Sequence, residues 1–445
     1  MSRSTNIVCN AGGDTTDVEL GDLNPKEESL QDSNIVDWDG ASDPANPLNW
    51  PLWKKCVTIS TVSFITFLSN ILYHTCNIIF FVFNIANAEA KNMASLIVFR
   101  LIAGIAASCP VTIGAGSIAD MIPHERRGLA MATWVIGPLL GPAIGPIAGG
   151  YLSQGKGWRW NFWVLSILSG AITLIAFVTL HESHPYTLLQ RKTKALRKKT
   201  GNPNLRSALD SDKSPRHVFA LAILRPLRML CLSPMVLLLS LYAALIYGYL
   251  YLCFTTFPRV FEIQYGFSES SSGLVYLGIG VGSLIGLFVC GGTSDRLVKV
   301  LAARRNGGVP KPEYRLPVLI LGALLAPAGL FCYAWTAEKK EHWMLPIVGT
   351  GFLGGGMVIA VMAISTYLVD TYTTFAASAM AASTVLRSLL GALLPLAGDS
   401  MYDALGVGWG TSLLGFISVA FIPLPFIFLK YGQKFRESKK FQLKL

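Results

Sequence analysis

Charge is what this 445-residue chain has least of. Only 14% of its residues are Asp, Glu, Lys or Arg, where a soluble domain carries about 25%. So little charge leaves too few residues to cover a water-facing surface. Organised cysteine is missing too. Cys9, Cys56, Cys76, Cys109, Cys231, Cys253, Cys290 and Cys332 are scattered, mostly inside apolar runs, with no metal or redox spacing. They read as small packing residues. No nucleophile–base constellation and no phosphate-cradling loop occur. The glycine-rich segments lie inside apolar helices, so a G-x-G match there does not mark a nucleotide site. Pumping by ATP hydrolysis is disfavoured on the same ground, and neither a cofactor nor a metal is expected. No basic segment followed by an apolar run opens the chain, so a secretory signal is not expected. No acid lies mid-span in the first half, so no proton-carrying carboxylate can be named there.

What is present is apolar: 52% of residues, with a mean hydropathy of +0.48. Residues 1–55 are polar and acidic, with Asp14, Asp17, Glu19, Asp22, Glu27 and Glu28, and read as a disordered cytosolic tail. Trp38, Trp50 and Trp53, with Lys54 and Lys55, suit a membrane interface. The net charge of +11 does not point to nucleic acid, because the basic residues cluster in alternate loops and orient a membrane protein. Six apolar runs fill the second half, about 233–255, 272–291, 316–336, 344–368, 376–397 and 409–429. The expected division is a tail over 1–55, a helical bundle over 56–182, a basic cytosolic linker over 183–230, a six-helix bundle over 231–430 and a cytosolic tail over 431–445. The linker, with Arg191, Lys192, Lys194, Arg197, Lys198 and Lys199, suits a helix lying on anionic lipid.

Two stretches stand apart. In the first, Gly137, Gly141, Gly145 and Gly149 recur every fourth residue, with Pro138, Pro142 and Pro146 beside them. On a helix these make two adjacent stripes. In water such prolines break a helix; in a bilayer the backbone has no other partner, so the helix survives, bent and loosened. The glycine stripe is expected to let a neighbouring backbone approach closely. Either the helix is simply tightly packed, or it must pack, bend and slide. The second stretch, 56–87, is mostly apolar. It is too long for one ordinary span of about 17–25 residues and too short for two with a loop.

The Gly/Pro stretch resembles the fifth-span signature of drug:proton antiporters of the major facilitator superfamily. Trp158-Arg159-Trp160-Asn161-Phe162-Trp163 resembles the opening of the sixth span in their fungal branch. Val36-Asp37-Trp38-Asp39, Asn46-Pro47-Leu48-Asn49-Trp50 and Pro312-Glu313-Tyr314-Arg315-Leu316-Pro317 extend the resemblance along nearly the whole chain. It implies an all-α polytopic membrane protein with the major facilitator fold: two helical bundles and about ten spans, the N-terminal bundle incomplete. Phe67-Leu68-Ser69 is followed almost at once by Ile71-Leu72-Tyr73-His74, which resembles the entry to the third span. The end of span one, all of span two and the first gating loop are therefore expected to be absent. One fused, tilted helix over 56–87 then keeps both termini cytosolic.

The resemblance also nominates residues. Arg100, with Gly104, resembles a fourth-span motif and is a proton-coupling candidate; the alternative is that its head reaches the outer interface. Asp120 and Arg127, and in the second half Asp295 and Arg296, resemble inner gating loops, and Asp370 lies at the inner end of its span. Asp120 and Arg127 either latch the bundles on the inside or lie in a solvated turn, and Asp295, Arg296 and Asp370 are further inner-gate candidates. Tyr242, Tyr247, Tyr251, Tyr367 and Arg387 are cavity candidates, since tyrosines offer a large apolar face with one polar tip. Helix packing is the alternative for any one tyrosine. For Arg387, midway along its run, the alternatives are a substrate or anion contact, a buried pairing with Asp370, or a carbonyl. The implied activity is secondary transport: proton-coupled efflux of drugs, toxins or secondary metabolites by alternating access. The expected partners are the lipid bilayer, a small amphipathic organic substrate and protons, without nucleic acid, in a monomer at the plasma membrane. The competing class is a truncated, non-transporting membrane protein, because the missing span should line the first bundle. An ion channel is disfavoured, as no ring of acids or filter sequence is present.

Overall fold

The computed structural model describes residues 35–39, 43, 45–51, 70–121, 127–179, 185–209, 215–305, 307, 309, 311–372 and 375–437. Within the helices, the side chains of residues 70–74, 109–139, 176, 178–179, 215–219, 305 and 435–437 lie outside that description. Four helices are described in the first half: α1 (Asn70–Ala88), α2 (Met93–Met121), α3 (Arg127–Lys156) and α4 (Arg159–Thr179). Then come α5 (Pro185–Thr200) and α6 (Pro215–Leu232). The second half holds α7 (Pro234–Pro258), α8 (Glu269–Leu274), α9 (Tyr276–Arg305), α10 (Leu316–Glu338), α11 (Met344–Thr371), α12 (Ala376–Leu393), α13 (Gly398–Ala420) and α14 (Pro423–Glu437).

Among the described residues five stretches are long and apolar enough to cross a membrane: Pro234–Gln264, Glu269–Arg304, Pro312–Glu338, Met344–Thr371 and Ala376–Lys434. Shorter apolar helices run over Thr75–Ala88, Met93–Ser108 and Arg159–Ile175. Helix occupies each of the six apolar runs of the second half. The front of the fused rod expected over 56–87 lies outside the described residues; its described part is α1, which packs on α2 and α4. The segment 398–408, between the last two apolar runs, is mostly helical. The chain turns at Gly406, whose φ of 73° suits a residue without Cβ. The Glu338 carboxylate accepts from the Gly408 N–H at 2.9 Å just beyond that turn.

Two compact units are distinguished. One combines residues up to Ala41 with Tyr186–Asp210. In it β1 (Ile35–Val36) pairs in parallel with β2 (Arg206–Ser207). Lys192 on α5 donates to the Asp37 carbonyl at 2.9 Å and meets Asp39 at 2.8 Å. Residues 35–39 thus depart from the expected disorder, because an acidic strand end finds a basic helix. Arg191, Lys194, Lys198 and Lys199 of that helix stay exposed.

The other unit holds the apolar helices. Its packing relies on backbone-close contact. A Cβ on Gly282 of α9 would overlap the Gly351 carbonyl of α11, and one on Gly286 would come within 2.6 Å of the Gly355 carbonyl. On its other side α11 meets α10 as closely: a Cβ on Gly329 would lie 2.6 Å from the Gly349 carbonyl. Helices that are apolar all round gain little from lipid exclusion, so such contact is what selects their neighbours.

The same principle forms the seam between the two halves, but not through the expected stripe. Gly141 and Gly145 have no described atom within 4 Å of a built Cβ, and Gly149 meets only the Asn161 side chain. The approach is made by Ala143, the Pro146 carbonyl and Gly150. They press on Gly280, Gly273 and the Glu269 carbonyl of α8–α9. The physical reason is register: the glycines that admit the partner backbone are mostly those of the partner, so the Gly/Pro helix presents the face beside its glycine stripe.

Pro258 ends α7 and leads into a π turn over Arg259–Gln264. A proline there removes the donor that the carbonyl one turn earlier needs. That carbonyl belongs to Phe254, and the Tyr276 hydroxyl donates to it at 2.7 Å.

Gly280→Leu should therefore disrupt the seam at a cost of about 1–3 kcal/mol from overpacking, while Gly141→Leu should cost little. Folded yield by fluorescence-detected size exclusion in detergent checks this. Equal losses for the two variants would contradict the seam.

Candidate functional site

Helices α7 and α12 pack side by side, with Gly248 against Leu394 and the Leu390 carbonyl. Along this pair runs a row of rings. Residues 247, 251 and 254 share one face of α7 by their spacing of four and three. The Tyr247 and Tyr251 rings lie 4.9 Å apart and their hydroxyls 3.2 Å. Tyr251 meets Phe254 at 5.7 Å, and Phe254 meets Tyr276 at 5.4 Å. Gly391, one turn beyond Arg387 on α12, leaves room for the Tyr247 ring. Arg387 places its guanidinium 4.9 Å from the centre of that ring. Its Nε is buried and has no hydrogen-bond partner. Tyr247, Tyr251 and Arg387 are thus brought together.

Tyr242 and Tyr367 are not. Both are fully buried in the core of the second bundle. Tyr242 stacks on Phe421 at 5.4 Å, and the Tyr367 hydroxyl reaches the Met235 sulfur at 3.4 Å. Helix geometry explains it: five residues from Tyr247 is well over a third of a turn around α7, so Tyr242 faces the core. These two are packing residues in this conformation, which corrects the expectation that they line a cavity.

At the end of the bundle where α11 finishes and α10 begins, charges gather around a residue not nominated from the sequence. Arg315 closes the 3-10 turn Pro312–Arg315. It donates through Nε to Asp370 at 2.5 Å, and through Nη1 to Asp295 at 3.1 Å and Ser294 at 3.2 Å. One guanidinium so ties together α9, α10 and α11. Asp295 and Asp370 are joined as gate candidates, while Arg296 is exposed. The signal that sequence reasoning passed over was the arginine itself, placed before an apolar run with two acids near the same end of neighbouring runs. Asp370 takes Arg315, which removes the alternative that Arg387 is its partner.

At the opposite end, Arg259 pairs with Asp403 at 2.5 Å and Asp399 at 3.6 Å. In the first half, Arg100 is exposed, with its guanidinium 5.2 Å from the Phe162 ring centre. Neighbouring Arg159 donates to the Ala90 carbonyl at 3.2 Å. Asp120 and Arg127, together with Gly137 and Pro138, lie in helix, but their side chains are outside the described residues. Among the described residues no cluster of His, Cys, Asp and Glu has the makings of a metal site.

Apolar helices with charges gathered at the ends of the second bundle are the architecture of a multi-pass membrane protein. Residues 61–395 match the family described as Major Facilitator Superfamily. The chain is 51% identical to the "MFS-type transporter penM" of Penicillium rubens, over 96% of this chain and 95% of that protein. It is 43% identical to the "Efflux pump radE" of Floropilus chiversii, over 95% and 88%. Among solved structures, the partially occluded inward-open xylose transporter XylE from E. coli superposes with a TM-score of 0.54 at 15% identity, covering 87% of this chain and 90% of that one. That likeness shows the fold. The chain belongs to the Major Facilitator Superfamily; it is a membrane transporter and not an enzyme.

The first of these alignments is also longer than the chain. It runs over 485 positions, against about 427 residues (96% of 445), so about 58 positions of the alignment have no residue here. That is enough for a span of about 20 residues and its flanking loops.

Asp370 is half as exposed as Asp295, 38% against 73%, and exposed pairs contribute little. Asp370→Asn should therefore destabilise the fold by about 1–2 kcal/mol and Asp295→Asn by well under about 1 kcal/mol, read as the larger fall in melting temperature in detergent for Asp370→Asn. The reverse order would show that Asp370 does not anchor Arg315.

Proposed function

We propose that the protein exports a small amphipathic organic molecule by alternating access, driven by inward proton flow. The observation that carries this is the seam of α3 with α8–α9. Two bundles that meet through small residues and carbonyls, with no described ion pair across the contact, are able to rock on each other. The name "Efflux pump" borne by a 43% identical relative supports the outward direction. In this reading the Arg315 cluster with Asp295 and Asp370 belongs to the inner gate, which Arg296, Asp120 and Arg127 complete. Arg100 takes part in proton coupling, and Tyr247, Tyr251 and Arg387 face the substrate. The protein is a monomer in the plasma membrane with both termini cytosolic. Basic residues at the Arg296–Arg305 end of α9 and at Lys430–Lys434 support that orientation.

The missing alignment positions favour a second reading, a transport-silent member of the family. A first bundle without its second span has one wall fewer around the substrate path.

Retention of a fluorescent drug in an efflux-deficient yeast host, with and without an uncoupler, separates the two. Export predicts low retention that an uncoupler raises to the empty-host level, and loss of that difference in Arg100→Ala. Retention equal to the empty host without uncoupler contradicts export and supports the silent reading. Unchanged export by Arg100→Ala removes Arg100 from the coupling.

A further inference from the structure

Arg387 is the deepest charge of the second bundle. It lies eleven residues into α12 and ten before the end of the 3-10 turn Leu394–Ala397. At about 1.5 Å per residue that is about 15 Å from either end, the middle of a hydrocarbon core about 30 Å thick. An arginine at that depth needs an anion, carbonyls or water.

The chain offers no carboxylate at this level. Between residues 233 and 430 the acids are Glu262, Glu269, Asp295, Glu313, Glu338, Glu341, Asp370, Asp399 and Asp403. All lie at or near helix ends except Asp295, ten residues inside α9, which Arg315 holds at the end of the bundle where α10 begins. Asp295 and Asp370 take Arg315, Asp399 and Asp403 take Arg259, and Glu338 takes the Gly408 N–H. The apolar runs of the first half contain no acid either: none occurs in 56–88, 93–119, 127–156 or 159–179. What Arg387 has instead is the face of Tyr247 and a buried Nε without a partner. Two hydroxyls lie close by, on Tyr247 and Tyr251. From there the rings continue through Phe254 to Tyr276. Tyr276 lies one turn from Gly280 and three residues from Gly273, the two glycines that meet α3. The row therefore leads from a mid-membrane cation to the seam between the halves.

We propose that Arg387, with the hydroxyls of Tyr247 and Tyr251, binds the anionic group of the transported molecule, and that the row from Tyr247 to Tyr276 takes its flat apolar body. The cargo class is an amphipathic organic acid carried as its anion. This rests on the export reading for the word "cargo"; the binding site stands without it.

The test uses two xanthene dyes of the same ring frame and opposite charge, fluorescein as the anion and rhodamine 6G as the cation. Binding to the purified full-length protein in detergent is read by fluorescence anisotropy. Fluorescein should bind at least about 10-fold more tightly than rhodamine 6G. Losing charge-assisted hydrogen bonds in Arg387→Gln should weaken fluorescein by about 10- to 100-fold and leave rhodamine 6G within about 3-fold. Arg387→Lys, which keeps the charge, should retain most of the preference. Tyr251→Phe should weaken fluorescein by about 3- to 10-fold, and it supplies the test if the glutamine variant does not fold. Equal affinity for the two dyes, fluorescein binding indifferent to Arg387→Gln and Tyr251→Phe, or no fluorescein binding overturns the proposal. Export of both dyes from cells is measured in parallel. Uncoupler-sensitive export with no anion preference refutes the site and leaves the export reading standing. Anion binding without export of either dye refutes the export reading and leaves the site.

Discussion

A charge inside hydrocarbon has to be matched, and this chain carries few charges with which to match one. That constraint arranges the second bundle. Arg315 gathers two carboxylates at the end of three helices, and Arg259 gathers two more at the far end of α7. Each set combines a guanidinium with acids from other helices, so it holds helix ends together and keeps charge where water reaches. Between the two sets Arg387 is the one deep charge among the described residues of the bundle. The one deep cation is therefore the feature that packing and pairing within the chain leave unexplained, and a ligand explains it.

The second constraint is the absence of a strong hydrophobic drive between helices in lipid. Contact at backbone distance takes its place. Helix α11 is gripped on two sides through glycines, and the two halves touch where α3 meets α8–α9 through glycine, alanine and proline. Close approach at small residues suits halves that change their mutual tilt. Pro258 shows the polar side of the same economy. It strips a donor from α7 within the apolar layer, and Tyr276 restores one.

Length and type of the helices were legible in the sequence, because runs of apolar residues bounded by basic loops have few alternatives once a bilayer is the solvent. Family membership was legible from dense motifs such as the Gly/Pro stretch. The faces of the helices were not. In a soluble helix the apolar stripe announces the packed side; in α7, α10 or α11 every side is apolar, so the sequence carries no such mark. For that reason Tyr242 and Tyr247 looked equivalent although one is core and the other faces Arg387, and the glycine stripe of α3 was given the contact that its neighbouring face makes. Arg315 was visible as a motif residue, but its hub role needed the three helix ends to be seen together. The helical segment before Gly406 was hidden because Asp399 and Asp403 interrupt the apolar pattern between two runs.

The central claim is that the second bundle spans a bilayer, with its two paired charge sets on opposite aqueous sides. Site-directed labelling tests it most directly. Single cysteines replace Asp403 and Lys299 in an otherwise cysteine-free chain and are exposed to a membrane-impermeant maleimide on intact cells. The account predicts labelling of the 403 position in intact cells and of the 299 position only after permeabilisation. Labelling of both from the same side would contradict it.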